Sequence, residues 1–186
     1  MLDDLEPLEL DLNTDFNFLV VGQLTGNNPH NDRKNLFFTL KWLCEEFKGE
    51  KDVGIVVKTN SGRNTKIDRQ VTMNTFRTLL GEVRKGDYPK FHLLHGTMTQ
   101  KEMARLYRHP KIKALVSLTR GEGYGLPLFE AAYYGLPVAA TDWSGHTDFL
   151  KKPNAFCALA LLRSSGYSPT FVNIYGLSVS PVVSLA

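Results

Sequence analysis

From Phe16 to Leu150 the chain alternates two kinds of apolar pattern, and that alternation most restricts its fold. Near-continuous apolar runs, "FNFLVVG", "VGIVVKT", "KFHLLHG", "IKALVSLT" and "LPVAAT", read as strands buried on both faces. Between them lie stretches with helical spacing. The first sets Leu36, Leu40, Leu43 and Phe47 on one side; "KIDRQVTMNTFRTLLGEVR", "TQKEMARLYRH" and "LPLFEAAYYG" follow. Thr99 and Glu102 stand in capping-box relation and mark the third helix start. "SGHTDFL" reads as a turn into another short helix. Strands and helices in turn demand parallel strands joined by right-handed crossovers. The expected fold class is therefore α/β: a doubly wound, Rossmann-like parallel sheet with helices on both faces.

The length, 186 residues, suits one sizeable core, and a net charge of +3 does not by itself argue for nucleic acid or membrane. Cys44 and Cys157 read as buried thiols, which suits a reducing compartment. The acidic "MLDDLEPLELDL" has no basic region ahead of an apolar core. "AFCALALL" is short of the ~20 apolar residues that span a bilayer. A cytoplasmic protein is expected, with no transmembrane segment and no nucleic-acid partner. Residues 1–15 read as a linker or N-terminal extension and 16–150 as the ligand-binding domain. Residues 151–186, Ser-rich and without a clean period, read as a C-terminal extension.

Ligands of such sheets bind outside the carboxyl ends of the strands. Those ends carry residues 22–34, 59–63, 95–98, 119–125 and 141–145, so glycines and charges converge on one rim. In the fourth of these, Gly123 and Gly125 let a ligand approach the backbone, and the next helix offers unpaired N–H groups. That is an anion site, although a plain turn needing positive φ has the same glycines. Glu122 inside it calls for a further partner, and sugar hydroxyls fit. Glu130, in the first turns of the following helix, suits a ribose diol or simply complements the helix dipole. Arg33 and Lys34 at the first helix start oppose that dipole; a phosphate-bearing ligand accounts for them, and so does a solvated pair. His92 and His95 are three apart in a strand and point to opposite faces, so joint metal ligation is not expected. No cluster has metal spacing, and neither a metal nor another cofactor is expected.

Together these residues resemble the C-terminal domain of retaining glycosyltransferases of the two-domain B-type fold, the "group 1" family. The resemblance runs from the strand ending "VG" through "RKN", "LHG" with "TQKEMARLY", and "EGYGLPLFEAAYYGLPVAAT" to "SGHTDFL". Its sharpest element is a glutamate, seven residues, and a second glutamate in an EGYGLP context. The resemblance implies a domain that binds a nucleotide-diphosphate sugar and a separate N-terminal domain that holds the acceptor. It assigns catalysis to Glu122, Glu130 and Lys34. It places the donor on Gly22, Gln23, Arg33, Lys34, His95, Gly96, Thr97, Met98, Glu122, Gly123, Tyr124, Gly125, Leu126 and Glu130. Within that set, Lys34 meets the diphosphate, the amides of 123–126 support the same phosphates or the sugar, Glu122 meets the sugar, Glu130 the ribose, and 95–98 border the base. One departure stands out: Gln23 occupies the place where the family usually has an arginine, and Arg33 is the candidate substitute.

Two alternatives remain. One is a nucleotide-sugar-binding module without catalysis, the acceptor domain being absent. The other is an NAD-type oxidoreductase domain, with Gly121, Gly123 and Gly125 as the fingerprint and Asp142 as the ribose carboxylate. Leu126 stands where that fingerprint needs its third glycine.

Overall fold

The structure, a computed structural model, describes residues 8–23, 29–60 and 62–150, and the backbone of 157–162 and 169–172. The strands are β1 (Phe16–Val21), β2 (Val53–Thr59), β3 (Lys90–His95), β4 (Ile112–Ser117), β5 (Val138–Thr141), β6 (Cys157–Leu162) and β7 (Pro169–Val172). The helices are α1 (Leu36–Glu46), α2 (Lys66–Val83), α3 (Gln100–Tyr107), α4 (Leu126–Tyr133) and α5 (Thr147–Leu150). They form one sheet of order β3-β2-β1-β4-β5-β6-β7, parallel throughout except for β7, which runs antiparallel to β6. The doubly wound α/β class expected from the sequence is the class found.

Each face of the sheet has its own apolar layer, which explains why the strands read as continuous rather than alternating runs. On one face Leu19, Val56, Leu115 and Val138 meet Leu106 and Tyr107 of α3, Leu128 and Ala131 of α4, and Leu150 of α5. On the other, Val20, Ile55, Val57 and Val116 meet Leu36, Leu40 and Leu43 of α1 and Phe76 and Val83 of α2.

Two capping boxes start helices. Thr99 Oγ1 accepts from Glu102 N–H at 3.2 Å while Glu102 Oε2 accepts from Thr99 N–H at 2.6 Å. Thr65 and Asp68 repeat the arrangement at α2. Helix α1 begins later than expected. Asn35 is its N-cap in the left-handed region, so Arg33 and Lys34 lie in the turn ahead of the helix rather than in its first turn.

Residues 8–14, assigned from the sequence to an extension, pack on the domain. Leu12 is buried, and Leu8 and Leu10 lie against the α3/α4 layer. Asn17, fully buried in β1, anchors this segment: it accepts from Thr14 Oγ1 at 2.6 Å and donates to Thr14 O at 2.8 Å. Within the stretch 151–186, β6 and β7 extend the sheet beyond the five expected strands. The side chains there, Cys157 among them, lie outside the described residues, as do residues 1–7.

Candidate functional site: a cleft at the switch point

Strand β1 pairs with β2 on one side and β4 on the other, so the loops leaving β1 and β4 diverge to opposite faces. A cleft of about 620 Å³ opens there at the carboxyl ends of the strands. Val21, Gly22 and Gln23 from β1, Arg33 and Lys34 from the turn before α1, and Gly96, Thr97 and Met98 after β3 all line it. All of these but Val21 are site residues named from the sequence, brought together. Asn60, from the rim segment 59–63, lines it too, as do Lys58 and Met103, which were not foreseen.

The turn carrying Lys34 is tied to the end of β4. Arg33 carbonyl accepts from Arg120 N–H and Thr119 Oγ1, both at 3.0 Å, and Asn35 Nδ2 donates to Leu118 O at 2.9 Å. Asp32 holds the same turn closed by accepting from the N–H groups of Lys34 and Leu36. Lys34 is thereby set against Glu122: Nζ donates to Oε1 at 2.5 Å, and Arg33 donates to Oε2 at 3.0 Å. The Glu122 side chain is only 8% exposed, whereas Arg33 is 59% exposed. Burial pushes the Glu122 carboxyl up, but the hydrogen bonds and charges of Lys34 and Arg33 outweigh it and hold the group below the usual carboxylate range. Glu122 therefore has two cationic partners here, where sugar hydroxyls were the partners suggested by sequence.

The backbone of Glu122 is braced from the turn after β5. Ser144 Oγ accepts from Glu122 N–H at 2.9 Å and donates to Glu122 O at 2.7 Å, and Gly145 N–H donates to the same carbonyl at 3.1 Å. Only glycine fits at 145, because a Cβ there would stand 1.9 Å from Gly123 O. Beneath the brace, His146 is fully buried and bonds to Thr141 O at 2.6 Å.

Gly125 caps α4 at φ 84, and a Cβ there would meet Leu128 Cδ1 at 2.9 Å, so this turn needs glycine on both counts. The Gly125 carbonyl accepts from Leu128 and Phe129. The N–H groups of 123–126 donate to no acceptor among the described residues. Tyr124 and Leu126 point outward, exposed, and Tyr124 stacks near Phe129 and Phe149. Of the glycine turn and α4, Pro127 reaches the cleft wall; Gly123, Tyr124, Gly125, Leu126 and Glu130 do not line it.

Glu130 lies one turn along α4 from Pro127, and Tyr107 one turn along α3 from Met103. Pro127 and Met103 line the cleft, so the Tyr107–Glu130 pair sits one helical turn, ~5.4 Å, below its wall. Tyr107 Oη donates to Glu130 Oε2 at 3.1 Å. Burial, then the Glu130 charge, pushes the phenol far above its ordinary range, so it remains a donor at any working pH. Tyr107→Phe should lower stability by about 1 kcal/mol, measured as a fall in denaturant midpoint at unchanged slope.

His95 also stands outside the cleft lining, and among the described residues neither His95 Nε2 nor His92 Nε2 has a hydrogen-bond partner. Burial lowers the His92 imidazole pKa. Among the described residues no group of three His, Cys, Asp or Glu side chains is placed to hold a metal ion, and no helix is long and apolar enough to cross a membrane.

Residues 78–157 match the family described as glycosyl transferases, group 1. No curated protein matches the chain. Among solved structures, the C-terminal domain of a group 1 glycosyl transferase family protein (LpcC) from Francisella tularensis is 17% identical. It aligns with a TM-score of 0.53 over 76% of this chain and 69% of that one. A UDP-forming α,α-trehalose-phosphate synthase from Burkholderia xenovorans is 14% identical, TM-score 0.54, over 79% of this chain and 34% of that one. A trehalose-6-phosphate structure from E. coli bound with UDP-2-fluoro glucose is 13% identical, TM-score 0.51, over 77% and 33%. The chain thus spans about a third of the length of the latter two. At these identities the likeness is one of fold, whereas the family match covers the glycine turn itself. The segment from 78 to 157, with both glutamates and the glycine turn inside it, is the part of the chain that is similar to the group 1 glycosyl transferases.

Proposed function

We propose that this chain is the donor-binding domain of a retaining glycosyltransferase and that a nucleotide-diphosphate sugar lies along the cleft. The observation that carries the reading is the joining of Lys34, Glu122 and the glycine turn into one hydrogen-bonded unit at the cleft edge. A diphosphate offers Lys34 and the free N–H groups of 123–126 a stronger anion than the internal carboxylate. Glu122, released from them, accepts from the sugar hydroxyls. When the anomeric C–O bond breaks, its electron pair ends on the diphosphate, where oriented amides and Lys34 stabilise it. Glu130, aimed by Tyr107, holds the ribose diol. The choice of a nucleotide-diphosphate sugar as ligand is supported by the E. coli structure of like fold, which is bound with UDP-2-fluoro glucose.

Transfer also needs an acceptor hydroxyl held against the anomeric carbon, an orientation that contributes ~7–11 kcal/mol. In this proposal a facing acceptor-binding domain supplies it, and the isolated chain binds and slowly hydrolyses donor. Cys44, buried and free with its thiol pushed up to about 11 by burial, fits a reducing compartment such as the cytoplasm.

Calorimetric titration with uridine and guanosine diphosphates tests the reading. Lys34→Ala should weaken the diphosphate that binds best by roughly 10- to 100-fold, the worth of one charge-assisted contact. Unchanged affinity in that variant takes the phosphates away from Lys34.

A further inference from the structure

Lys58 is the cation of this cleft that the family motif leaves unexplained. It stands next to last in β2 on the α3/α4 face, two residues beyond Val56, and is 6% exposed. Its ammonium donates to the carbonyls of Gly96 and, at 3.4 Å, Thr59; no carboxylate among the described residues pairs with it. Lys34 and Arg33, by contrast, already share Glu122. The uncompensated positive charge of the cleft therefore stands on the β2 side and not at the motif lysine. Burying an ammonium without a counter-charge is unfavourable, and two backbone carbonyls leave one of its three donors unused. Burial correspondingly lowers its pKa.

The surroundings fix what it meets. Beyond Lys58, on the β3 side, lie uncharged groups: Asn60, whose buried Oδ1 has no partner among the described residues, and Thr97 Oγ1, which accepts from Asn64 Nδ2 at 2.6 Å. These suit a nucleobase edge. On the other side, over β1 and β4, lie Lys34 and Glu122, which suit the outer phosphate and the sugar. The geometry points to Lys58 as a second phosphate-binding lysine, taking the phosphate attached to the nucleoside while Lys34 takes the one attached to the sugar. This rests on the donor-site reading above but divides the diphosphate between two residues.

The test compares nucleoside monophosphate and diphosphate of the best-bound base, by calorimetry, on the parent, Lys58→Met and Lys34→Ala. Lys58→Met should weaken both ligands by a similar factor, roughly 10- to 100-fold. Lys34→Ala should weaken the diphosphate far more than the monophosphate. Lys58→Met should also melt no lower than the parent, since it removes an uncompensated buried charge. Should Lys58→Met not fold, Lys58→Gln replaces it, and the parent alone gives a second readout. At alkaline pH it should take up protons on binding, seen as a dependence of the heat on buffer ionisation, because a bound phosphate raises the lysine pKa. Parent-like affinity in the Lys58 variant, a loss confined to the diphosphate, or no proton uptake by the parent overturns the assignment and leaves the donor site standing. Failure of the parent to bind either nucleotide overturns both.

Discussion

Gly145→Ala should destabilise the domain by about 3 kcal/mol, at the upper end for an overpacked site. The new methyl would stand 1.9 Å from Gly123 O and 3.0 Å from Glu122 O, so the strain falls on backbone that no side-chain rotation relieves. The brace from Ser144 and Gly145 to Glu122 then opens, and Glu122 loses its fixed position against Lys34. Diphosphate affinity should fall with stability. Gly123→Ala is the matched control: a Cβ there meets nothing within 4 Å, and its denaturation midpoint should stay near that of the parent. Equal midpoints for Gly145→Ala and the parent would mean that the two turns are not packed as described.

Glu122→Gln should cost about 1–3 kcal/mol, because it leaves Lys34, 23% exposed, without its carboxylate. The value stays below that of a fully buried pair because Arg33 is largely in water. The same substitution changes the pH dependence. The Glu122 pKa is lowered by folding from its ordinary 4.5, so its stabilisation is complete above that pH and is lost as pH falls through the folded value. Chemical denaturation of the parent at a series of pH values should therefore show stability falling below pH about 4.5, and the variant should show a shallower fall over that window. Parallel curves would remove Glu122 from the acid transition.

The sheet was legible because buried parallel strands and amphipathic helices leave different apolar periods, and "FNFLVVG" and "VGIVVKT" became β1 and β2. The Thr99 cap was legible because its partner is three residues away. The equivalent Thr65–Asp68 cap went unread, since Asp in place of Glu weakens the pattern without changing the bonds. "AFCALALL" has the same continuous apolar character as the other strands, but it is flanked by no helical period that would mark a crossover. At the site, sequence marked which loops converge and not which side chains pair. The Lys34–Glu122 contact joins residues 88 apart, and Tyr107–Glu130 depends on how α3 lies on α4. Lys58 escaped because a lysine at the end of an apolar run looks like the strand reaching solvent. The structure instead buries it at the cleft floor.

The order β2-β1-β4 has a consequence for how the molecule folds. Only α1 and its flanking loops separate β1 from β2 in the chain, whereas α1, β2, α2, β3 and α3 all lie between β1 and β4. The cleft lies on that last seam, with Lys34 on one bank and Glu122 on the other. Closing so long a loop is slow and is rewarded only when the seam forms. A ligand that bridges the two banks binds the finished sheet and not its precursors, and it stabilises the fold by RT ln(1 + [L]/Kd). On the donor-site proposal, nucleotide supply and the lifetime of the folded chain would be linked, and protease resistance should rise with nucleotide concentration even where no sugar is transferred.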